Sequence, residues 1–419
     1  MKDEVILDSF FIPHFKPDRP LLYHSCYPQT TMKTPPIVPF TIFLWKISSR
    51  CNLNCKYCYV YNSADSLWRE QPRFMSEEVA RRTAQEMRKH CEAHNVPRAS
   101  LNFHGGEPLL GGVNYLKQII DIIDDVFAGS NVQLDLGLQS NGLLFTPEIG
   151  DLFLERELSM GISLDGPPEI NDLNRVDHRG LPSTTQLEEK LALLNSPRYE
   201  SIFGGFLSVI NTAVDPITVI QYLLSYNPAN IDFLLPLNNY DSRPPGKETN
   251  LSATPYADWL IPIFDHWFHS GSDTRIRIFD SIIRLICGSS SLVEAIGLDP
   301  VSLVVIECNG SLEAVDTLKT TFEGATKLNY SILEHDFDTV AQDIAIQNRQ
   351  IGADSLCQTC QTCPLVDICG SGYLPHRYSK ARGFDNPSVY CSDLEKLIRH
   401  IHAAVLGELS QPTLELAAV

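Results

Sequence analysis

The chain has 419 residues, of which 43% are hydrophobic, and it carries a formal net charge of −18 at pH 7. This length suggests two or three domains. The acidic excess argues against a nucleic-acid partner, because phosphate binding requires clustered Lys and Arg. No apolar run approaches the ~20 residues that cross a bilayer, and residues 1–8 do not begin a secretory signal. We therefore expect a cytoplasmic protein with no membrane partner.

From Thr41 onwards, strand-like and helix-like segments alternate along the chain. The predicted strands are Thr41–Ile47, Ala99–Phe103, Val132–Leu138, Leu158–Leu164, Phe203–Ile210 and Ile231–Leu237. The predicted helices are Ser76–Ala93, Tyr115–Phe127, Thr146–Glu155, Gln186–Leu194, Pro216–Tyr226 and Ala257–His269. Such alternation is typical of α/β proteins with a parallel sheet and right-handed crossovers. Six units are fewer than a closed barrel contains, so we expect a partial, open (β/α)6 barrel of the TIM type.

The regions that flank this alternation differ from it in composition. Residues 1–38 are rich in proline and aromatic residues and are predicted to form an extended arm, while residues 39–274 form the barrel. Residues 275–400 are loop-rich, hold seven cysteines and end in a predicted helix, Ser392–Leu406. Residues 401–419 are expected to be a tail.

Three cysteines, Cys51, Cys55 and Cys58, follow the first predicted strand with the spacing C-x3-C-x2-C. In a reducing compartment, clustered cysteines indicate metal or redox ligands rather than disulfides. A closed zinc site or an ordinary cubane cluster uses four protein ligands. Three thiolates can hold three irons of a 4Fe–4S cube and leave the fourth iron open to a small molecule. The remaining alternative is a zinc knuckle completed by a distant histidine such as His104.

An aromatic residue, Tyr57, precedes the third cysteine, and the loop resembles the C-x3-C-x-φ-C signature of radical S-adenosylmethionine (SAM) enzymes. In that family the open iron binds the amino and carboxylate groups of SAM. The reduced cluster then cleaves SAM to methionine and a 5′-deoxyadenosyl radical. The resemblance thus implies SAM and a 4Fe–4S cluster as cofactors.

Several further residues at the ends of predicted strands are candidates for binding SAM. The second strand ends in His104-Gly-Gly-Glu-Pro108, which resembles the family motif that holds the methionine amino group. Small polar residues follow the next two strands. By resemblance, Ser163 and Arg175 would contact the SAM carboxylate and ribose, although Arg179 is a neighbouring alternative. The predicted cofactor residues are Tyr57, Gly105, Gly106, Glu107, Ser140, Asn141, Ser163 and Arg175.

The second cysteine-rich region resembles the auxiliary-cluster (SPASM) module of peptide-modifying radical SAM enzymes. It offers four ligands for one cluster: Cys360, Cys363, Cys369 and Cys391. In the module the next three-residue step leads to another cysteine, but here that position is Tyr373. A second auxiliary cluster would have to use Cys287, Cys308 and Cys357, one protein ligand short of four. Such a second site would have an iron without a protein ligand, would use a ligand other than cysteine, or does not exist. A zinc ribbon remains an alternative for the whole cysteine-rich region.

Three acidic residues are candidates for acid–base chemistry. Asp316 is the predicted catalytic residue, and Glu313 and Asp165 are its alternatives. An acidic side chain on a loop is usually only solvated, so the sequence pattern alone does not decide among them.

The resemblance covers about residues 40–400 and is most specific to cyclophane-forming maturases of ribosomally synthesised precursor peptides. The segments that carry it are Cys58–Tyr61, Ala64–Arg69, Phe103–Pro108, Cys369–Ser379 and Gly383–Cys391. Such enzymes join an aromatic ring to the β-carbon of a residue two positions later. The implied partners are a precursor peptide with a leader and an electron donor such as flavodoxin or ferredoxin.

Two other functions remain open at this point. Sulfatase-maturing enzymes, which oxidise one Cys or Ser of a protein substrate to formylglycine, contain the same modules, although the absence of a cysteine at Tyr373 counts against them. The second is a non-enzymatic zinc-binding scaffold.

Overall fold

The structure, a computed structural model, describes residues 37–410. The predicted arm, apart from residues 37 and 38, and the last nine residues of the predicted tail therefore lie outside the described residues. The strands are β1 Ile42–Ser48, β2 Arg98–Gly105, β3 Gln133–Ser140, β4 Ser159–Ser163, β5 Phe203–Val209, β6 Asn230–Leu234, β7 Arg275–Ile276, β8 Leu303–Ile306, β9 Ser311–Glu313 and β10 Lys327–Ser331.

Helices connect the strands on one side of the sheet and extend into the C-terminal part. They are α1 Glu77–Ala93, α2 Gly112–Phe127, α3 Pro147–Glu155, α4 Pro168–Asn171, α5 Thr184–Leu194, α6 Pro216–Leu224, α7 Pro255–Phe268, α8 Arg277–Ile286, α9 Phe337–Ala341, α10 Ile344–Gln347, α11 Gln358–Gln361, α12 Val366–Cys369 and α13 Cys391–Ser410. None of the helices within residues 37–410 has the length and apolar character of a bilayer span.

The strands form a single open sheet in the order β10-β9-β8-β1-β2-β3-β4-β5-β6-β7. All neighbouring strands from β8 through β1 to β7 run parallel, and β9 pairs antiparallel with both β8 and β10. The predicted α/β class and partial parallel barrel are confirmed. Because the strands are parallel, their carboxyl ends lie at one edge, where the loops after them meet.

Local sequence signals explain where the connecting helices begin. The side chain of Ser76 accepts a hydrogen bond from the N–H of Val79 at the start of α1, and Thr146 and Asp215 cap α3 and α6 in the same way. These caps satisfy N–H groups that have no partner inside the helix. Apolar side chains of the helices then pack on the sheet in one continuous core.

The C-terminal part contributes strands to the same sheet, which the sequence analysis did not predict. Strand β8 pairs with β1 in parallel, with Leu303 opposite Ile42 and Ile306 opposite Trp45. The apolar run Val301–Ile306 was the signal for this strand. The sheet therefore crosses the predicted domain boundary between residues 274 and 275, and this boundary stays a prediction. Helix α13, which includes the predicted helix Ser392–Leu406, packs against α7 and α8 and joins the two parts.

Candidate active site

The cysteine loop, residues 51–58, begins three residues after β1 and lies at the carboxyl edge of the sheet. Its backbone is held by a hydrogen bond from the N–H of Cys58 to the carbonyl of Cys55 at 3.0 Å. The N–H of Asn62 in turn donates to the carbonyl of Cys58 at 2.9 Å. The side chains of Cys51, Cys55 and Cys58 are all partly buried. The structure thus brings the three predicted ligands together on one ordered turn.

The thiols of the cysteine loop are not as close together as the ligands of a single metal ion. Within residues 37–410, no three cysteine sulfurs lie within 4.8 Å of one another, whereas sulfurs around one zinc ion lie about 3.8 Å apart when each Zn–S bond is ~2.3 Å. His104 also does not complete a zinc knuckle, because within residues 37–410 it forms no group of close metal-binding side chains with these cysteines. Burial lowers the pKa of His104 to about 4, and its Nδ1 has no hydrogen-bond partner among the described residues.

Two glycines allow the end of β2 to pack directly against the cysteine loop. A Cβ on Gly105 would lie 1.9 Å from the carbonyl oxygen of Ser48, and Gly105 has a φ of +136°. A Cβ on Gly106 would lie 2.3 Å from the carbonyl oxygen of Arg50. Only residues without a side chain fit at these positions. The backbone of the Gly-Gly pair is therefore exposed to whatever binds beside the cysteine loop.

Glu107 is fully buried, and its carboxylate is used inside the protein. One oxygen accepts from the N–H of Leu109 at 2.9 Å and from the hydroxyl of Ser140 at 2.8 Å. The other accepts from the N–H of Asn141 at 2.8 Å. Burial raises the pKa of Glu107 to about 7, although these hydrogen bonds oppose the rise. Glu107 therefore ties the end of β2 to the end of β3, and its predicted contact with the cofactor stays a prediction.

Tyr57 and Arg175 meet at one side of the loop. The hydroxyl of Tyr57 donates to Asp165 at 2.5 Å, and the Arg175 guanidinium donates to that hydroxyl at 3.1 Å. Arg175 is buried, whereas the alternative Arg179 is exposed and pairs with Asp177. Of the two arginines, only Arg175 is placed to face a ligand beside the cysteines.

The polar residues after β3 and β4 also lie at this edge. The side-chain amide of Asn141 donates to Asn52 at 2.9 Å, and its nitrogen lies 3.7 Å from the sulfur of Cys51. The Ser163 hydroxyl is hydrogen bonded to the Gln139 amide at 2.7 Å. The predicted polar residues therefore surround the cysteine loop.

A cavity of about 760 Å³ opens beside the cysteine loop. Its volume lies in the range of small-molecule sites. Of the predicted cofactor residues, only Glu107 is absent from its wall. Those that line it, together with the three cysteines of the loop, are Tyr57, Gly105, Gly106, Ser140, Asn141, Ser163 and Arg175. The structure therefore provides one chamber in which a nucleoside and a second molecule can lie close to the thiols.

Five buried charged side chains form a network beside this cavity, and we call them the charged network: Lys46, Glu307, Glu313, Asp316 and Lys319. The Lys46 ammonium lies 2.9 Å from Glu307 and 2.8 Å from Asp316. Lys319 lies 2.9 Å from the same oxygen of Glu307. Each of the five residues is 3% exposed or less. Such groups are stable in a protein interior only when they are paired.

Asp316, the predicted catalytic residue, connects the charged network to the cavity. Its carboxylate faces Lys46 and also accepts a hydrogen bond from the Tyr59 hydroxyl at 3.3 Å. Both Tyr59 and Asp316 line the cavity wall. By contrast, Glu313 does not line the cavity, and burial raises its pKa. Asp165, the other candidate, lines the cavity but is bound to Tyr57.

Five cysteines of the C-terminal part lie together, and we call them the auxiliary cysteine group: Cys357, Cys360, Cys363, Cys369 and Cys391. The thiol of Cys360 lies 3.1 Å from the Ser371 hydroxyl. Helix α12, which ends at Cys369, packs against α13, which begins at Cys391. Burial and the neighbouring thiols of Cys391 and Cys363 raise the pKa of Cys369 to about 12. The structure thus gathers the four predicted ligands of one cluster.

Some residues in or beside the cavity were not found from the sequence. Lys46 lies within an otherwise apolar strand. A lysine in such a run indicates a buried charge that needs a partner, and this was the one sequence signal for the charged network. Asp232, on β6, also lines the cavity, where burial raises its pKa to about 6 although the Arg277 guanidinium lies 3.7 Å away. His376 packs on Tyr373 with ring centroids 5.5 Å apart. No short motif marks either Asp232 or His376.

Comparison with known proteins supports this geometry. The model of the Radical SAM superfamily matches residues 45–188. The cysteine-type anaerobic sulfatase-maturating enzyme of Clostridium perfringens is 25% identical over 386 residues, covering 86% of this chain and 96% of that protein. The serine-type enzyme of Bacteroides thetaiotaomicron is 22% identical over 400 residues, covering 89% of this chain and 92% of that protein. The structure of native anSMEcpe with bound AdoMet and Cp18Cys peptide has a TM-score of 0.73 at 23% identity. The match covers 88% of this chain and 98% of that chain.

The fold and the matched region define the class of the protein. Residues 45–188 match the Radical SAM superfamily, and the chain is a radical SAM enzyme. Its cofactors are SAM, a 4Fe–4S cluster and one or two auxiliary iron–sulfur clusters. Between 86% and 89% of the chain is similar to these anaerobic sulfatase-maturating enzymes.

Replacing one cysteine of the loop tests the first ligand set. We expect Cys58→Ala to lower the iron content by about four per chain and to abolish formation of 5′-deoxyadenosine, because two thiolates do not retain the cube. Iron analysis and chromatography of anaerobic reactions measure both effects. Cys91→Ala is the matched control, since Cys91 is buried in α1 away from both groups, and it should keep both properties. A Cys58→Ala variant that still forms 5′-deoxyadenosine would contradict the assignment.

Proposed function

We propose that this enzyme oxidises the β-carbon of a side chain in a peptide or protein substrate. The observation that carries the proposal is that the cysteine loop and the carboxylate of Asp316 line the same cavity. Removal of a hydrogen atom from the substrate needs the cluster on the cysteine loop. Loss of the proton that follows needs a base such as the Asp316 carboxylate. The cavity is also lined by backbone and polar groups suited to SAM, so that cofactor and substrate meet in one chamber.

In this proposal Cys51, Cys55 and Cys58 hold the 4Fe–4S cluster. When bound and reduced, the cluster with SAM supplies a 5′-deoxyadenosyl radical that takes a hydrogen atom from the substrate. The chain itself orients the cofactor. The carbonyls of Gly105 and Gly106 suit the ammonium group of SAM. Arg175 suits its carboxylate, because a guanidinium donates hydrogen bonds in a planar fork.

The remaining polar groups of the wall would fix the nucleoside part of SAM. Ser163 lies on the wall beside Gln139, and Asn141 is held near Cys51 by its bond to Asn52. Tyr57 is anchored by Asp165 and Arg175, so its ring has little freedom to move. Glu107 acts as a positioning residue, because it holds the ends of β2 and β3 in register.

Asp316 would accept the proton that leaves the substrate. After hydrogen-atom removal, the substrate radical must lose one electron and one proton to become a closed-shell product. An auxiliary cluster held by the C-terminal cysteines would accept the electron, and the Asp316 carboxylate, which lies on the cavity wall, would accept the proton. Lys46, 2.8 Å away, keeps this carboxylate oriented. Burial works to raise the pKa of the neighbouring Glu307, but Lys319 and Lys46 outweigh it, so that Glu307 remains ionised.

The first candidate reaction is oxidation of one Cys or Ser side chain. It is favoured by the similarity to cysteine-type and serine-type anaerobic sulfatase-maturating enzymes over more than four-fifths of the chain. Loss of the β-hydrogen, one electron and one proton converts Ser to an aldehyde. With Cys the same losses give a thioaldehyde, which water converts to the aldehyde with release of hydrogen sulfide.

The second candidate reaction is formation of a cyclophane in a ribosomal precursor peptide with a leader. One observation favours it: Tyr373 occupies the position where the auxiliary spacing leads to a cysteine, and its ring lines the cavity. In this case the β-carbon radical attacks an aromatic ring, and loss of an electron and a proton restores the ring. Both reactions need an electron donor such as flavodoxin or ferredoxin to reduce the first cluster.

A matched set of peptides separates the two reactions. The reduced holoenzyme is incubated with SAM and peptides that differ at one position, Cys, Ser or Ala, and with a peptide that has an aromatic residue two positions before an aliphatic one. We expect an aldehyde, trapped by a hydrazide reagent, from the Cys or Ser peptide and none from the Ala control. A product that has lost two hydrogens, resists trapping and does not fragment inside the aromatic segment would instead establish cyclophane formation.

The proton acceptor is tested separately. We expect Asp316→Asn to lower product formation by about 10²-fold or more, because the amide does not accept the proton. Formation of 5′-deoxyadenosine should stay within a few-fold of the original enzyme, which also shows that the variant is folded and loaded. Glu323→Gln, at an exposed carboxylate bonded to Ser66, is the control. Unchanged product from Asp316→Asn would place the proton acceptor elsewhere.

A further inference from the structure

The seven cysteines after residue 275 divide into one group and two separate residues. The auxiliary cysteine group holds five of them. Cys308 lies elsewhere: it follows β8, it is 1% exposed, and its thiol donates to the carbonyl oxygen of Lys46 on β1 at 2.9 Å. Its near neighbours are Glu307, Lys46 and Ser49. Cys308 is therefore fixed within the sheet, beside the strand that precedes the cysteine loop.

Cys287 is also separate from the thiols that a second auxiliary cluster would need. It follows the last turn of α8, where its N–H donates to the carbonyl of Ile283 at 3.0 Å, and its side chain is exposed. Cys357, the third expected ligand, lies in the auxiliary cysteine group and is hydrogen bonded to Cys360. The three expected ligands of the second cluster therefore lie at three different places: Cys308 beside β1, Cys287 at the end of α8 and Cys357 in the auxiliary cysteine group.

Other side chains, and no cysteine, form the part of the cavity wall that the described C-terminal residues contribute. Tyr373, which stands in place of a cysteine, is hydrogen bonded to Thr317 at 2.9 Å. Beside them lies the charged network. Three of its carboxylate oxygens lie within 4.8 Å of one another, but the ammonium groups of Lys46 and Lys319 are bonded to them. The carboxylates are thus paired with cations of the protein itself.

We propose that this chain holds two iron–sulfur clusters in all, one on the cysteine loop and a single auxiliary cluster in the auxiliary cysteine group. Cys287 and Cys308 are not ligands. The inference rests on the proposed role of the cysteine loop as the site of the first cluster. Its consequence is that the electron released from the substrate has one acceptor within the chain. Asp316, the proposed proton acceptor, is paired with Lys46 instead of lying beside a cluster ligand.

Iron and sulfide analysis of the anaerobically reconstituted full-length enzyme tests this inference. We expect about eight irons and eight sulfides per chain. Cys363→Ala should retain about four of the irons, because the auxiliary cluster loses a ligand, and should still cleave SAM. The double variant Cys287→Ser, Cys308→Ala should retain all eight, and Cys287→Ser alone serves if the double variant does not fold.

About twelve irons in the original enzyme, or loss of about four from Cys287→Ser, would overturn the inference. Either iron result would be distinguishable from a failure of the proposed function. An enzyme with eight irons that oxidises no peptide would leave the cluster count in place and contradict the function. An enzyme with twelve irons that oxidises a peptide would support the proposed function and contradict the cluster count.

Discussion

The structure depends on one constraint: three thiolates on a single turn must face a chamber large enough for a nucleoside. The turn follows β1 at the carboxyl edge of a parallel sheet, so its position is set by the fold. The turn packs directly against the end of β2, because the backbone around Gly105 and Gly106 leaves no room for a Cβ at either position. The residues that would hold SAM then come from the ends of the next strands, each of which ends at the same edge.

The second feature of the chamber is buried charge. Lys46, Glu307 and Asp316 lie in contact although β1 and the segment after β8 are about 260 residues apart. Removing such ions from water is costly unless each has partners, and breaking one pair leaves an unpaired charge. The network therefore fixes Asp316 in position beside the cavity. It also links the C-terminal part to the barrel, because Lys46 lies on β1 whereas Glu307 and Asp316 follow β8.

Much of the barrel could be predicted from the sequence, since the six predicted strands agree with β1 to β6 to within a few residues. The alternation of apolar runs and amphipathic segments is local information. The cysteine loop and the Gly-Gly-Glu segment were also recognisable, because the residues of each motif are close in sequence. Their gathering on one cavity wall follows from the parallel order of the strands.

The rest required the structure, because it depends on contacts between distant segments. The pairing of β8 with β1 joins residues about 260 positions apart, and no local pattern specifies a partner strand. The buried partners of Glu107 show that its carboxylate is used within the protein, which its motif alone does not reveal. The separation of Cys308 from the auxiliary cysteine group was likewise hidden, because spacing along the chain says nothing about which cysteines converge.

The most direct test of the central claim is an anaerobic crystal structure of the reconstituted enzyme with SAM. The account predicts a four-iron cube on Cys51, Cys55 and Cys58, with the amino and carboxylate groups of SAM on the fourth iron and the nucleoside inside the cavity. A single tetrahedral ion on these cysteines, with SAM absent from the cavity, would contradict it.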